Sequence, residues 1–220
     1  MLIEKDRYIY MYPITRDYGF APNPFNGYCT LATCKPRIRK HAKVGDYIIG
    51  IGGCNFTDQR KQCVFIMQVT EKLSFNEYWN DRRFLSKKPV RNGSRLRMVG
   101  DNIYHKNDRD EWIQENSHHS NSDGSPNKEN LRRDTNSTDQ VLISDRFIYF
   151  GKESQYIDLN KLGYSKVRDY KKLDLNIRKV KNEINKLVEA HKNEKNKIIS
   201  SPIDFRNAHK RVNQKDGRVY

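Results

Sequence analysis

A chain of 220 residues, 35% hydrophobic and 31% charged, has room for one substantial domain with appendages, and its 13 Tyr argue against disorder throughout. The formal net charge of +15 favours a polyanionic partner such as nucleic acid, and no apolar run approaches membrane-spanning length. Met1 to Arg7 leads into charge rather than an apolar stretch, so no leader is read and a cytoplasmic location is expected.

In chain order, Tyr8-Ile-Tyr-Met-Tyr-Pro13 reads as a first strand ended by proline. Ile14 to Tyr28 follows as a rigid loop, because Pro22 and Pro24 restrict it and two glycines punctuate it. It presents Tyr18, Phe20, Phe25 and Tyr28, either as a plug for one end of the core or as a lip on which a base stacks. Cys29, Cys34, Cys54 and Cys63 form no Cys-x-x-Cys pair, and no histidine follows them at zinc-finger spacing. They are read as free thiols in a reducing compartment, with no metal and no cofactor expected.

Pro36 to Ala42 is expected to form one or two helical turns. The basic cluster Lys35, Arg37, Arg39, Lys40 and Lys43 then delivers the chain to a turn at Gly45-Asp46. Tyr47 to Ile51 is a strand apolar on both sides, hence central. Gln62 to Thr70 is a second strand that pairs with it as a hairpin. Ser74 to Asp81 reads as a short helix, with Ser74 as N-cap and Glu77 in the reciprocal position.

Arg82 to Arg97, which includes Arg82 and Arg83, holds seven basic residues and no acid. Gly100-Asp-Asn-Ile-Tyr-His105 is a turn into a short strand. Residues 106–140 contain almost nothing apolar beyond Trp112, Ile113 and Leu131, the pattern of a long polar loop that is either functional or disordered. Strand character resumes at Val141 and again at Phe147 to Gly151. Beyond Gly163 the charge balance shifts to 16 Lys/Arg against 7 Asp/Glu. Leu173, Ile177, Val180, Ile184 and Leu187 recur at helical spacing over about 174–193, a narrow apolar stripe suited to the β-domain, a second copy of the chain or a partner protein. The expected organisation is a β-domain over 1–163 and a basic helical extension over 164–220.

The fold class expected is α+β. The order of strand, basic helical turn, Gly-Asp strand and hairpin resembles the PUA-like barrels, including the ASCH and EVE branches. That resemblance implies a partly open β-barrel with short helices, followed by a C-terminal amphipathic helix and a basic tail. A closer resemblance rests on Gly19-Phe-Ala-Pro-Asn-Pro-Phe25, Lys35-Pro-Arg-Ile-Arg39, Val44 to Gly53, Tyr78-Trp-Asn-Asp81, Gly100 to His105 and Val141 to Gly151. These segments are similar to the second family of nucleotide-modification-associated domains. Membership implies systems that make or handle modified bases in prokaryotic and phage DNA, in base modification or phage defence. The resemblance brings no assigned catalytic residues with it and is read as ending near Gly151.

No dinucleotide or P-loop glycine pattern and no Gly-x-Ser-x-Gly elbow is present. The polar candidates are Asp101, Asn102, Tyr104 and His105, with His118 and His119 downstream. Asp101, His105, His118 and His119 are the candidates for acid–base work, since histidine titrates near neutrality. Asn102 has the paired groups that read a base edge, although Gly100-Asp-Asn also fits a plain Asx turn, and His118-His119 also fits a solvated loop. Lys35, Arg37, Arg39, Lys40, Arg82 and Arg83 are candidates for phosphate contact, which orients a strand without reading it. One rim formed by Tyr18, Phe20, Phe25, Arg37, Asp101, Asn102 and His105 is the expected site. The leading expectation is a noncatalytic domain that recognises a modified base or nucleotide, in DNA before RNA. The alternatives are an enzyme acting on a nucleotide or DNA base through Asp/His chemistry, and a protein-docking module.

Overall fold

The computed structural model describes residues 7–165, 169–212 and 219; residues 213–218 and 220 of the expected basic tail lie outside them. Its centre is a six-stranded sheet in the order β10-β1-β3-β4-β9-β11. The strands are β1 (Tyr8–Ile14), β3 (Tyr47–Gly52), β4 (Cys63–Gln68), β9 (Arg146–Tyr149), β10 (Lys171–Asp174) and β11 (Lys197–Ile198). The β3–β4 and β4–β9 pairs are antiparallel, whereas β1 runs parallel to β3. Parallel neighbours require a crossover of a dozen residues or more. Here that crossover is the segment 15–46, which carries β2 (Cys29–Leu31) and helix α1 (Pro36–His41).

The Gly-Asp turn works through both of its residues. Gly45 takes φ +95°, where a Cβ would be strained. The buried Asp46 carboxylate accepts the Lys43 amide at 2.8 Å and the Tyr8 amide at 2.9 Å, pinning the start of β3 to the start of β1. β3 is buried along its whole length, which is why its sequence shows no polar alternation. One sheet face packs Met11, Ile49 and Ile66 against Val180, Ile184 and Leu187 of helix α5 (Arg178–Ala190). The other face packs Tyr12, Ile48 and Phe65 against Ile38 of α1, together with Leu31 and Leu142.

A three-stranded sheet, β2-β8-β5, is built from β2, β5 (Glu71–Ser74) and β8 (Gln140–Ser144). Helix α2 (Phe75–Asn80) follows β5 directly, and the Ser74/Glu77 capping box forms as the sequence predicts. A turn of helix, α3 (Arg95–Met98), leads to the hairpin β6 (Tyr104–Lys106) and β7 (Trp112–Gln114). Helix α4 (Lys128–Thr135) then returns the chain to β8. A strap, residues 199–212, follows β11.

Two expectations change. No pairing among the described strands closes either sheet, so the architecture is a mixed α/β sheet core with short helices, and the PUA-like barrel is not seen. The stripe on α5 is not a free docking face either. Leu173, Val180, Ile184 and Leu187 are each 7% exposed or less within the chain's own core, and only Ile177, at 45%, faces outward. The stretch 164–220 also supplies β10, so the central sheet draws strands from both sides of residue 163.

Leu187→Ala should therefore cost about 2–5 kcal/mol in urea unfolding, as expected for a buried leucine. Ile177→Ala should stay within about 0.5 kcal/mol, the range of surface changes. Equal, small losses at both positions would contradict this packing.

Candidate functional site

The crossover between β1 and β3 bends sharply where β2 ends. Cys34 and Lys35 take φ +58° and +41°, the left-handed region, which costs about 1–3 kcal/mol for each non-glycine residue. Three bonds hold the bend. The Cys34 amide donates to Asp134 Oδ1 at 3.0 Å, the Arg39 amide donates to the Lys35 carbonyl at 3.1 Å, and Arg39 Nε donates to the Cys34 carbonyl at 2.9 Å. Arg39 also donates to the Gln140 carbonyl at 2.8 Å and the Asp134 carbonyl at 2.5 Å. It is fully buried, a clamp for backbone rather than the phosphate contact its basic neighbourhood suggests.

The bend presents the Cys34 thiol to two residues from the long polar segment. Cys34 Sγ lies 3.6 Å from His119 Nε2, and His119 Nδ1 lies 3.0 Å from Asp134 Oδ2. A carboxylate can only accept, so Nδ1 carries a proton and Nε2 faces the sulfur. Arg133 Nε donates to Asp134 Oδ1 at 2.9 Å, and its Nη2 stands 3.8 Å from the thiol. Tyr104 donates to Asp134 Oδ2 at 3.0 Å. His119 is 2% exposed and Asp134 fully buried.

Burial alone would raise the Cys34 pKa, but the nearby Arg133 and His119 charges and the His119 hydrogen bond outweigh it, and the thiol titrates below its ordinary range. Burial works against protonation of His119, yet the Cys34 charge and the Asp134 hydrogen bond lift it above the ordinary histidine value. Asp134 is held far below the carboxylate range despite burial, by Arg133 and His119. Both shifts run toward a thiolate–imidazolium pair, with Asp134 and Arg133 as its counter-charges. Cys29 and Cys63 are buried with thiols pushed well above the ordinary range, and so are inert.

His118, one residue away, is the opposite case. Its Nδ1 donates to the Lys210 carbonyl at 2.6 Å, and burial together with the His119 charge pushes its pKa down to about 3. Its ring packs against Tyr18 at 4.7 Å and Phe20 at 5.1 Å between centroids. The strap holds this segment in place, since Arg211 Nη1 donates to the Ser117 carbonyl at 2.6 Å. The strap is anchored in turn by Asp17, whose carboxylate accepts the Ile203 amide at 2.9 Å.

Cys34, Lys35, His118 and His119 open on a cavity of about 290 Å³, whose walls include Tyr12, Tyr18, Phe20 and Val212. Of the expected site residues, Tyr18, Phe20, His118, His119 and Lys35 meet here, and Tyr104 supports the site from behind through Asp134. The single rim expected from the sequence is not assembled. Asp101 is fully buried, accepting Thr30 Oγ1 at 2.7 Å and the Tyr78 hydroxyl at 2.9 Å, and burial raises its pKa to about 6. Asn102 donates to the Tyr78 carbonyl at 3.0 Å inside the core, where its side chain is fully buried. His105 stacks on Trp79 at 4.0 Å and pairs with Glu115 at 2.9 Å. Phe25 packs on Phe205 at 5.5 Å, and Tyr28 on Phe84 at 5.3 Å.

The basic zones are also differently used. Arg83 is held by Glu71 at 2.8 Å and Asp81 at 2.6 Å. Arg37 and Lys40 are exposed, Arg37 lying 3.6 Å from Asp169. Lys87 is buried against the Asn23 side chain at 2.7 Å.

Cys34, His119 and Asp134 place their ligand atoms within 4.8 Å of one another, the spacing of a metal site. The donor set does not fit one. Both Asp134 oxygens are already engaged, by the Cys34 amide and Arg133 on one side and by Tyr104 and His119 on the other. A cation at the thiol would also face the Arg133 guanidinium at 3.8 Å.

Fold and site together define a mixed α/β protein that keeps a charge-paired thiol in an aromatic-walled cavity. The chain belongs to the family described as nucleotide modification associated domain 2, whose sequence model matches residues 6–209. The match runs through β10, α5 and most of the strap, well past Gly151. No curated protein and no solved structure matches the chain.

Alkylation of Cys34 by iodoacetamide, followed in a Cys54→Ser background, should keep its rate to lower pH than an ordinary thiol. Arg133→Gln removes the charge but can still donate to Asp134, and should slow alkylation several-fold at pH 6 while leaving it unchanged well above the thiol's pKa. A pH profile identical in the two proteins would remove Arg133 from the activation of the thiol.

Proposed function

We propose that this protein is a thiol-dependent enzyme acting on a nucleotide or nucleobase. Cys34 is the nucleophile, His119 its acid–base partner, and Asp134 the group that orients the imidazole. The observation that carries this assignment is the run of contacts from Cys34 Sγ to His119 Nε2 and from His119 Nδ1 to Asp134 Oδ2, at 3.6 and 3.0 Å, at the mouth of a cavity. A nucleophile, a base and an orienting acid in that order, with a cation at the sulfur, is an arrangement a purely structural cysteine does not need.

The nature of the substrate follows from family and cavity. Association with nucleotide modification gives the context. Tyr18 and Phe20 supply rings of the kind on which bases stack, worth about 1–3 kcal/mol per base. A volume near 290 Å³ is at the small end for ligand pockets and suits one base or its substituent. Where that base belongs to DNA, it must leave the stack, at a cost of a few kcal/mol. Exposed Arg37 and Lys40 then lie near enough in sequence to Cys34 to meet the flanking phosphates. A recognition domain without turnover would use the same walls, but would leave the activated thiol without a task.

The test is turnover and trapping. The full chain is incubated with nucleotides and oligonucleotides carrying plain and modified bases, and products and protein adducts are read by mass spectrometry. A substrate should give product with the native chain, and Cys34→Ala and His119→Ala should each lower turnover by about 10⁴-fold or more, with the double variant little worse. Binding that persists in Cys34→Ala with no turnover in the native chain would instead establish the recognition domain.

A further inference from the structure

Tyr12 stands out among the residues lining the Cys34 cavity. It is 2% exposed, and its hydroxyl is a buried polar atom with no hydrogen-bond partner among the described residues. A buried donor left without a partner costs about 1–3 kcal/mol, so its retention calls for a reason. The residue sits on rigid β1, paired in register with Gly50 of the central strand β3, so the ring is fixed by the core of the sheet. Lys35 Nζ lies 4.9 Å from its ring centroid. Burial, followed by the charge of Cys34, keeps the phenol protonated far above neutrality, so at working pH it is an O–H donor on a residue of the cavity that Cys34 also lines.

His118 adds a complementary group. Its Nδ1 proton is committed to the Lys210 carbonyl, so Nε2 is a lone-pair acceptor on a residue of the same cavity wall. The cavity therefore combines a donor for an oxygen, an acceptor for an N–H, a thiolate, and an imidazolium able to give up a proton. An amide presents an oxygen, an N–H, an electrophilic carbon and a leaving nitrogen that must be protonated. The match is group for group.

We propose that Tyr12 is the oxyanion donor of an acyl-transfer reaction at Cys34, and that the substrate carries an amide-type carbonyl on a nucleotide amino group. This rests on Cys34 being the nucleophile. The thiolate forms a bond to the carbonyl carbon, and the C=O π pair moves to oxygen, where the Tyr12 hydroxyl donates to it. The oxyanion collapses, the C–N bond breaks, and the nitrogen takes the proton from His119 Nε2 and leaves as the amine. Water then attacks the thioester and gives its proton to His119. The C–S bond breaks, releasing the acid and restoring the thiolate–imidazolium pair. The net reaction is amide plus water to acid plus amine.

Two probes separate this role from a structural one. p-Nitrophenyl acetate acylates Cys34 through an oxyanion, whereas 2-iodoethanol alkylates the same sulfur by displacement with no carbonyl. In a Cys54→Ser background, Tyr12→Phe should slow acetylation of Cys34 by about 10²-fold, the cost of losing one oxyanion donor, and leave alkylation within about twofold. Equal slowing with both probes would mean that Tyr12 acts on the thiol itself, and unchanged acetylation would mean that it does not hold the oxygen; either result overturns the proposal. A second measurement needs no substitution at Tyr12. The native site should prefer the oxygen ester over its thiono analogue by at least about tenfold more than free cysteine does, because sulfur accepts hydrogen bonds poorly; an equal preference overturns the proposal. If the native Cys34 reacts with neither probe, the nucleophile assignment fails and this proposal fails with it, whereas a reactive thiol indifferent to Tyr12 overturns the proposal alone.

Discussion

The buried Asp134 carboxylate is the point on which the site depends. Its two oxygens accept from the Cys34 amide, the Tyr104 hydroxyl, His119 Nδ1 and the Arg133 guanidinium. These donors come from the crossover after β2, from β6, from the segment between β7 and α4, and from α4 itself. A buried charge is tolerable only when paired and hydrogen-bonded, and removing one partner of such a pair costs about 3–5 kcal/mol. The same bonds that make Asp134 affordable in the core therefore fix the strained bend at Cys34, the ring of His119 and the start of β6 relative to one another. Folding and alignment of the thiol are one event.

Much of the scaffold was legible in the sequence because it obeys local rules. The Gly45-Asp46 turn, the doubly buried run from Tyr47, the strand at 63–68 and the Ser74/Glu77 box each follow from a short pattern with a local cause. The closing geometry was not legible. β10 and β11 are short edge strands of Lys-rich sequence, and nothing local announces that they pair with β1 and β9. The α5 stripe was visible as a stripe, but the surface it covers includes strands more than a hundred residues earlier, which spacing does not reveal.

The site was half legible for a related reason. His118 and His119 were candidates, and Tyr18 and Phe20 were expected on a lip, but 106–140 read as a long polar loop, functional or disordered, because it is almost wholly polar. It is ordered because its polar groups satisfy one another: Asn130 Nδ2 donates to the His119 carbonyl at 2.8 Å, Gln114 Nε2 donates to the same carbonyl at 3.1 Å, and Asn127 caps α4. Hydropathy cannot distinguish a polar segment that hydrates from one that folds around its own hydrogen bonds. Cys34 went unnoticed because its partners lie 85 and 100 residues away. The one local sign was a cysteine two residues before a proline, between a strand and a basic helical turn, and that is too common to carry weight alone.

Two adjacent histidines driven in opposite directions show how finely the chain assigns charge. His119 faces the Cys34 sulfur and a carboxylate, which raise its pKa; His118 faces a carbonyl, two aromatic rings and the charges of Arg91 and Arg211, and is kept neutral. The division comes from their partners, because the strap places the Lys210 carbonyl against His118 Nδ1 while Asp134 accepts from His119 Nδ1. Neighbouring titratable groups whose environments push their pKa values apart mark the division of labour in a site. A cation beside the sulfur and a neutral acceptor beside the aromatic rings would suit a polar, uncharged ligand, with the shift of the Cys34 thiol toward the thiolate left undisturbed. That combination would serve the reaction proposed above, since a nucleobase ring brings no charge to neutralise.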